Sequence, residues 1–183
     1  AVLMALTCFT ALPFAASAAT PATSASGKYV FAYFTGNNTS EQKIRFAVSD
    51  DGYNFTAVNG NQPVAEQTTG TGCARDPYLF RGQDGYFYMV ATDMDASLGW
   101  WDVNVAMTVW RSADLVNWSE ESHISIKDVK NADGTSALPA NETVHCFWAP
   151  QVIWDASTGK YMVYFSLSTS SFTGGSEQKI YYM

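Results

Sequence analysis

Residues 73–93, Cys-Ala-Arg-Asp-Pro-Tyr-Leu-Phe-Arg-Gly-Gln-Asp-Gly-Tyr-Phe-Tyr-Met-Val-Ala-Thr-Asp, predict the fold of the chain. They contain a short apolar run, a turn over residues 82–85, and a second aromatic and β-branched run. This pattern predicts two antiparallel strands joined by a hairpin. Pro77 stands near the head of the first strand, where proline is tolerated because no ladder N–H is needed. The segment therefore predicts a fixed carboxylate, Asp76, at a strand end.

Length and composition favour one domain rich in strands. The 183 residues are 47% hydrophobic, which is enough for one sizeable core. Aromatic residues make up 15% of the chain, a level that suits strands and sugar-stacking surfaces. The net charge of -7 and the pI near 4.6 argue against a nucleic-acid partner, which requires clustered Lys and Arg.

The N-terminal residues predict export. Residues 1–18 are apolar and end in Ala16-Ser17-Ala18, the form of a signal-peptidase site, so we expect a signal peptide without its first residues. A membrane anchor is the weaker interpretation because the run is too short to span. Residues 19–27 form a low-complexity linker, and residues 28–183 form the folded part. A secreted or periplasmic protein is expected, in which Cys73 and Cys146 remain as an even pair.

The pattern of the central segment recurs along the chain. Residues 107–112 alternate as a strand, and residues 113–118 restate residues 50–55. After a polar loop over residues 120–143, residues 146–166 repeat the opening hairpin. Cys73 and Cys146 are separated by 73 residues, and Pro77 and Pro150 have the same spacing. Such self-similarity predicts a repeating architecture.

The repeat and the absence of helical periodicity predict an all-β fold of the β-propeller type. The first unit, residues 29–55, lacks the leading Asp-Pro strand, and the third stops at residues 179–183, before its last strand. Since a propeller needs about four blades to close, we expect an incomplete set of blades and a chain shortened at both ends.

Four motifs in order resemble glycoside hydrolase family 43. They are Arg75-Asp76-Pro77, Asp84-Gly85 with the strand after it, residues 111–118, and Trp148-Ala149-Pro150-Gln151 with residues 159–164. The resemblance covers residues 29–183 and implies a five-bladed propeller that hydrolyses β-xyloside, α-L-arabinofuranoside or β-galactofuranoside bonds with inversion. An oligo- or polysaccharide is the implied partner. We expect no cofactor, because His123 and His145 have no partners at metal-ligand spacing.

The resemblance implies that Asp76 is the general base. The alternative is that Asp76 only caps a strand turn before Pro77. The family's acid Glu and its pKa-tuning Asp are expected from later blades, beyond Met183. We therefore expect the chain alone to be inactive.

Four further residues are candidates for substrate binding. Arg75 would also help to keep Asp76 ionised. Trp148 would stack on a sugar or plug the space between blades, and Gln151 would hydrogen-bond sugar hydroxyls. Asp93 would reach the channel rim or end a strand in solvent.

Three alternatives remain open from sequence. Trp100 and Trp101 lie in an insertion that would wall the pocket or form a surface loop. A non-catalytic carbohydrate-binding propeller and a structural protein-interaction propeller compete with the hydrolase. Whether Cys73 and Cys146 pair is a matter of geometry.

Overall fold

The computed structural model describes residues 29–99, 104–171 and 177–183, and it builds them from antiparallel strands. The predicted signal peptide and linker, and Trp100 and Trp101, lie outside these ranges. The described strands form sheets of three, four and three strands in chain order. The helical segments in the described ranges are short 3-10 turns at Asn59–Asn61, Ala96–Leu98 and Ile126–Asp128.

The strands of each sheet follow one another along the chain. The first sheet contains β1 (Tyr29–Tyr33), β2 (Arg45–Ser49) and β3 (Thr56–Ala57). The second contains β4 (Ala74–Arg81), β5 (Phe87–Asp93), β6 (Ala106–Ser112) and β7 (Ser119–Ser125). The third contains β8 (Val144–Asp155), β9 (Lys160–Thr169) and β10 (Lys179–Tyr182).

The predicted hairpin of the central segment is confirmed. β4 pairs with β5 from Ala74 opposite Asp93 to Arg81 opposite Phe87. Gly85 has φ of +87°, a conformation that glycine adopts at little cost, and its N–H donates to the Gly82 carbonyl at 3.0 Å. This turn chemistry sets the register that carries Asp76 into its place.

Two turns share one hydrogen-bond pattern, as the restated sequence predicted. In residues 49–54 and 112–117, the carboxylate of Asp51 or Asp114 accepts the backbone N–H groups two and three residues later, at 2.8 to 2.9 Å. The Asn three residues later donates its side-chain amide to the same carboxylate, at 2.7 and 2.8 Å. The backbone bonds from Asn54 and Asn117 lead the causes that lower the pKa of these two carboxyls.

Acid is expected to weaken these turns. Because the folded pKa of Asp51 and Asp114 lies below the unfolded value of about 3.9, their contribution is present above that pH and declines as pH falls further. Urea unfolding at pH 6 and pH 3 measures this decline. Asp114→Asn should flatten the pH dependence, and an unchanged slope in the variant would contradict this role for Asp114.

Two apolar clusters hold the sheets together. Between the first and second sheets lie Ile44, Phe46, Met89 and Trp110, each at most 3% exposed. Between the second and third lie residues that include Val90, Phe147, Val163, Phe165 and Leu167. Each sheet thus buries one face against its neighbour, as consecutive repeats do.

The predicted polar loop over residues 120–143 is wrong in its first part, where β7 forms the fourth strand of the second sheet. The sequence Ser-Glu-Glu-Ser-His-Ile-Ser has no clean alternation of apolar residues. Among the described strands it is an edge strand that pairs with β6, so its formation depends on tertiary context and not on propensity.

Cys73 and Cys146 are free, buried thiols. Burial raises the pKa of both, to about 11 for Cys146.

None of the helices in the described ranges is long and apolar enough to cross a membrane.

Candidate active site

Two matching β-bulges, one in β4 and one in β8, define the candidate site. Asp76 and Pro77 stand opposite Ala91 alone, and Ala149 and Pro150 stand opposite Phe165 alone. Asp76 has φ of +50° and Ala149 has φ of +49°, both in the left-handed region. Proline fits such a bulge because it has no ladder N–H to lose. Pro77 was predicted near the head of its strand, and β4 begins three residues earlier, at Ala74.

Asp76 is an exposed residue on the β4 bulge. Its surface is exposed to solvent, yet the protein around it desolvates the carboxyl and raises its pKa. A hydrogen bond from Thr92 and the charge of Arg75 act in the opposite direction. A carboxylate that is both reachable by solvent and partly desolvated has the properties of a general base.

Thr92 connects the two bulges. Its hydroxyl lies 3.2 Å from Asp76 Oδ2 and 2.8 Å from the backbone N of Ala149. Thr92 is fully buried in β5, opposite Arg75. The second and third sheets therefore meet through polar contacts at the site, beyond the apolar cluster that they share.

Arg75 points toward the first sheet. Its guanidinium stacks 4.4 Å from the Phe34 ring centroid and donates to Asn37 Oδ1 at 2.9 Å and Gln42 Oε1 at 3.0 Å. The residue is 7% exposed. These contacts give Arg75 a structural task between the sheets, while its charge still favours the ionised form of Asp76.

Asp93 is neither at a rim nor in solvent, which corrects both sequence-based interpretations. It is 3% exposed, and its Oδ1 accepts from Gln67 Nε2 at 2.6 Å and the Thr71 N–H at 2.9 Å. Its Oδ2 lies 2.7 Å from His123 Nε2 in β7. Asp93 thus fastens the loop before β4, and its oxygens are occupied by protein groups.

Gly70 is the tightest point of this loop. A Cβ at Gly70 would lie 2.1 Å from Asp93 Oδ2 and 2.6 Å from His123 Nε2, at φ of +59°. Gly60 has the same φ with no atom within 4 Å. We expect Gly60→Ala to cost about 1–2 kcal/mol of backbone strain. Gly70→Ala should cost about 1.5–3 kcal/mol more, because its Cβ would displace the hydrogen bond between the buried Asp93 and the partly exposed His123. Urea unfolding compares the two, and equal losses would contradict the crowding at Gly70.

The two remaining predicted substrate-binding residues, Trp148 and Gln151, have different surroundings in β8. Trp148 is half-buried and directly precedes Ala149, so it lies at the β8 bulge. Gln151 is exposed and accepts a hydrogen bond from the Tyr164 hydroxyl of β9. Val152, the next residue in β8, packs toward the second sheet. The backbone N–H that follows Trp148 is linked to Asp76 through the Thr92 hydroxyl. Substrate roles for Trp148, Gln151 and Arg75 stay predictions.

The site offers a proton acceptor and no metal cluster. Within the three described ranges, His, Cys, Asp and Glu side chains form no group of three or more able to hold a metal ion. Sequence reasoning missed Thr92 and the backbone of Ala149. A threonine within a strand carries no special signal. The spacing of 73 residues between Asp76 and Ala149 indicates equivalent positions in two repeats, but it does not predict that both contact Thr92.

Comparison with known proteins gives a family match over most of the chain. Residues 25–183 match the family related to glycoside hydrolase family 43 that is described as "Probable glycosyl hydrolase domain". An α-L-arabinofuranosidase of Bifidobacterium longum subsp. longum is 27% identical over 147 residues, which are 75% of this chain and 13% of the relative.

Solved structures show the same fold at low identity. A fructofuranosidase from Schwanniomyces occidentalis superposes with a TM-score of 0.53 and 20% identity, covering 85% of this chain and 26% of that one. A family 43 β-1,3-galactosidase superposes with a TM-score of 0.51 and 12% identity, covering 86% and 30%. The chain thus spans less than a third of the length of these relatives.

These matches confirm the all-β prediction, with several antiparallel sheets that match part of a five-bladed propeller and form an incomplete set of blades. The likeness to family 43 predicted from four motifs is confirmed by the match over residues 25–183. The chain belongs to the glycoside hydrolase family 43-related family of glycosyl hydrolase domains.

Proposed function

We propose that this protein is an exported glycoside hydrolase that cleaves pentose or furanose linkages with inversion, and that Asp76 is its general base. The observation that carries the proposal is the Asp76 carboxylate, open to solvent on a bulge of β4 and hydrogen-bonded by Thr92. Bulges next to active sites re-aim side chains, and left-handed residues other than glycine concentrate at such sites.

The mechanism follows from the position of this carboxylate. Asp76 takes a proton from water, and the resulting hydroxide oxygen bonds to the anomeric carbon while the bond to the leaving oxygen breaks. A protonated carboxylic acid on the other face of the sugar gives its proton to that oxygen. The two carboxyl groups of an inverting enzyme stand roughly 6.5–9.5 Å apart. We propose that the acid Glu and a pKa-tuning Asp come from further blades of the ring.

We propose an α-L-arabinofuranoside as the first substrate to test. The relative from Bifidobacterium longum subsp. longum is named an α-L-arabinofuranosidase. β-Xylosides and β-galactofuranosides are the other members of the proposed class. All three present a hydroxylated ring, and we propose that the half-buried Trp148 stacks on it.

The test uses the full-length protein that contains this chain. It is incubated with 4-nitrophenyl α-L-arabinofuranoside, β-xyloside and β-galactofuranoside, and proton NMR identifies the first anomer released. The proposal predicts turnover of at least one glycoside with inversion, and no turnover by residues 28–183 alone. A folded full-length protein that binds these sugars but hydrolyses none would instead support a carbohydrate-binding propeller.

A further inference from the structure

We propose that Thr92 is a positioning residue that fixes the base carboxylate of Asp76 through a relay beginning at the backbone of the third sheet. The inference rests on the proposed function, because it assigns a role beside the proposed base. The relay runs from the Ala149 N–H to the Thr92 hydroxyl, over 2.8 Å, and from that hydroxyl to Asp76 Oδ2, over 3.2 Å.

The direction of the relay is set by chemistry. A backbone N–H can only donate, so the Thr92 oxygen must accept from Ala149. The hydroxyl proton is then free to point at Asp76 Oδ2, and an ionised carboxylate can only accept. Since Thr92 is fully buried, water does not compete for its hydroxyl.

The relay also distinguishes the two oxygens of Asp76. Oδ2 is occupied by Thr92, while the described part of the chain offers no hydrogen bond to Oδ1. Oδ1 is therefore left for a water molecule. The proposed proton transfer ends on Oδ1, and Thr92 keeps its own proton throughout.

Few charged groups act on the Asp76 carboxyl besides the hydrogen bond from Thr92. In the described ranges, the guanidinium of Arg75 is the charged group whose field acts on Asp76, and it belongs to the same strand. From β5 and β8, the groups that face Asp76 or its partner are the uncharged Thr92 hydroxyl and the Ala149 amide. Removal of the hydroxyl therefore leaves burial opposed by Arg75 alone.

The arrangement makes the base depend on the neighbouring sheet. The left-handed conformation of Ala149, unusual for a residue with a Cβ, stands inside the β8 bulge. On both sides of this bulge β8 stays paired with β9, with Trp148 opposite Ser166 before it and Gln151 opposite Tyr164 after it. The third sheet thus holds the Ala149 N–H in the direction that reaches Thr92. The hydrogen bonds that orient Asp76 are therefore complete only when the third sheet packs on the second.

The first experiment compares Thr92→Val and Thr92→Ser with wild type in the full-length protein. Valine keeps the shape but neither donates nor accepts, whereas serine restores the hydroxyl. The acidic limb of kcat/KM should move up by about one pH unit in Thr92→Val and return toward wild type in Thr92→Ser. An activity loss in Thr92→Val that is the same at every pH would show a merely structural role and overturn the relay.

A second measurement needs no turnover and no variant. Carbon-13 NMR of the Asp76 carboxyl gives its pKa, and the nitrogen-15 shift of the Ala149 amide in wild-type protein should titrate with that same pKa. An Ala149 amide that is blind to Asp76 titration would overturn the relay even in an active enzyme. An Ala149 amide that follows Asp76 in a protein that hydrolyses no glycoside would keep the relay and overturn the proposed function.

Discussion

Replacing Asp76 by Ala in the full-length protein is expected to lower kcat/KM by about 100-fold or more, the usual range for losing a general base. The physical reason is that the proposed mechanism assigns the proton of the attacking water to Asp76. In Asp76→Asn, kcat/KM should fall by a similar factor, because the amide keeps the shape of the carboxylate but is not basic. Initial rates with the best aryl glycoside of the panel measure both variants.

The matched control is Asp128→Ala. Asp128 is an exposed carboxylate in a 3-10 turn after β7, outside the two bulges. Its removal should leave kcat/KM within about twofold of wild type, since surface substitutions away from special features have small effects. A loss of less than about tenfold in Asp76→Ala would exclude it as the base.

Replacing Phe147 by Ala is expected to lower the free energy of unfolding by about 3–5 kcal/mol. Phe147 is fully buried in the cluster between the second and third sheets. Its ring packs edge-on against Phe165, with 4.5 Å between the ring centroids. The cavity would open directly beneath the contact between the two sheets, and urea unfolding measures the loss.

Ile153→Ala tests whether position in the strand or packing causes the effect. Ile153 lies in β8 as Phe147 does, but it is 42% exposed. Its truncation should cost less than about 1 kcal/mol, because little apolar surface is removed from a buried contact. Equal losses for the two variants would contradict the assignment of Phe147 to the core between the sheets.

The architecture was predictable because it repeats. The Asp51 and Asp114 turns match each other, as do the prolines at 77 and 150, and the structure gives each pair the same local form. Turn chemistry is local, so it can be read from a few adjacent residues. The edge strand β7 was missed because its formation depends on β6 and not on its own sequence.

The site was predictable only in part, because its contacts are long-range. Asp76 was marked by its motif, but its left-handed conformation is set by a register that no single strand reveals. Asp93 is hydrogen-bonded to His123, which lies 30 residues further on in the strand that was missed. Thr92 bonds Ala149 across 57 residues. Partners that lie so far apart in sequence are brought together by the packing of the sheets, which no local pattern reveals.

Chemical rescue of Asp76→Ala by azide tests the central claim most directly. Azide is a nucleophile that needs no base, so it should react at the anomeric carbon in the space vacated by the carboxylate. The account predicts that azide restores cleavage of the best aryl glycoside and forms a glycosyl azide of inverted configuration. A folded variant that azide does not rescue, or a product of retained configuration, would contradict Asp76 as the base of an inverting hydrolase.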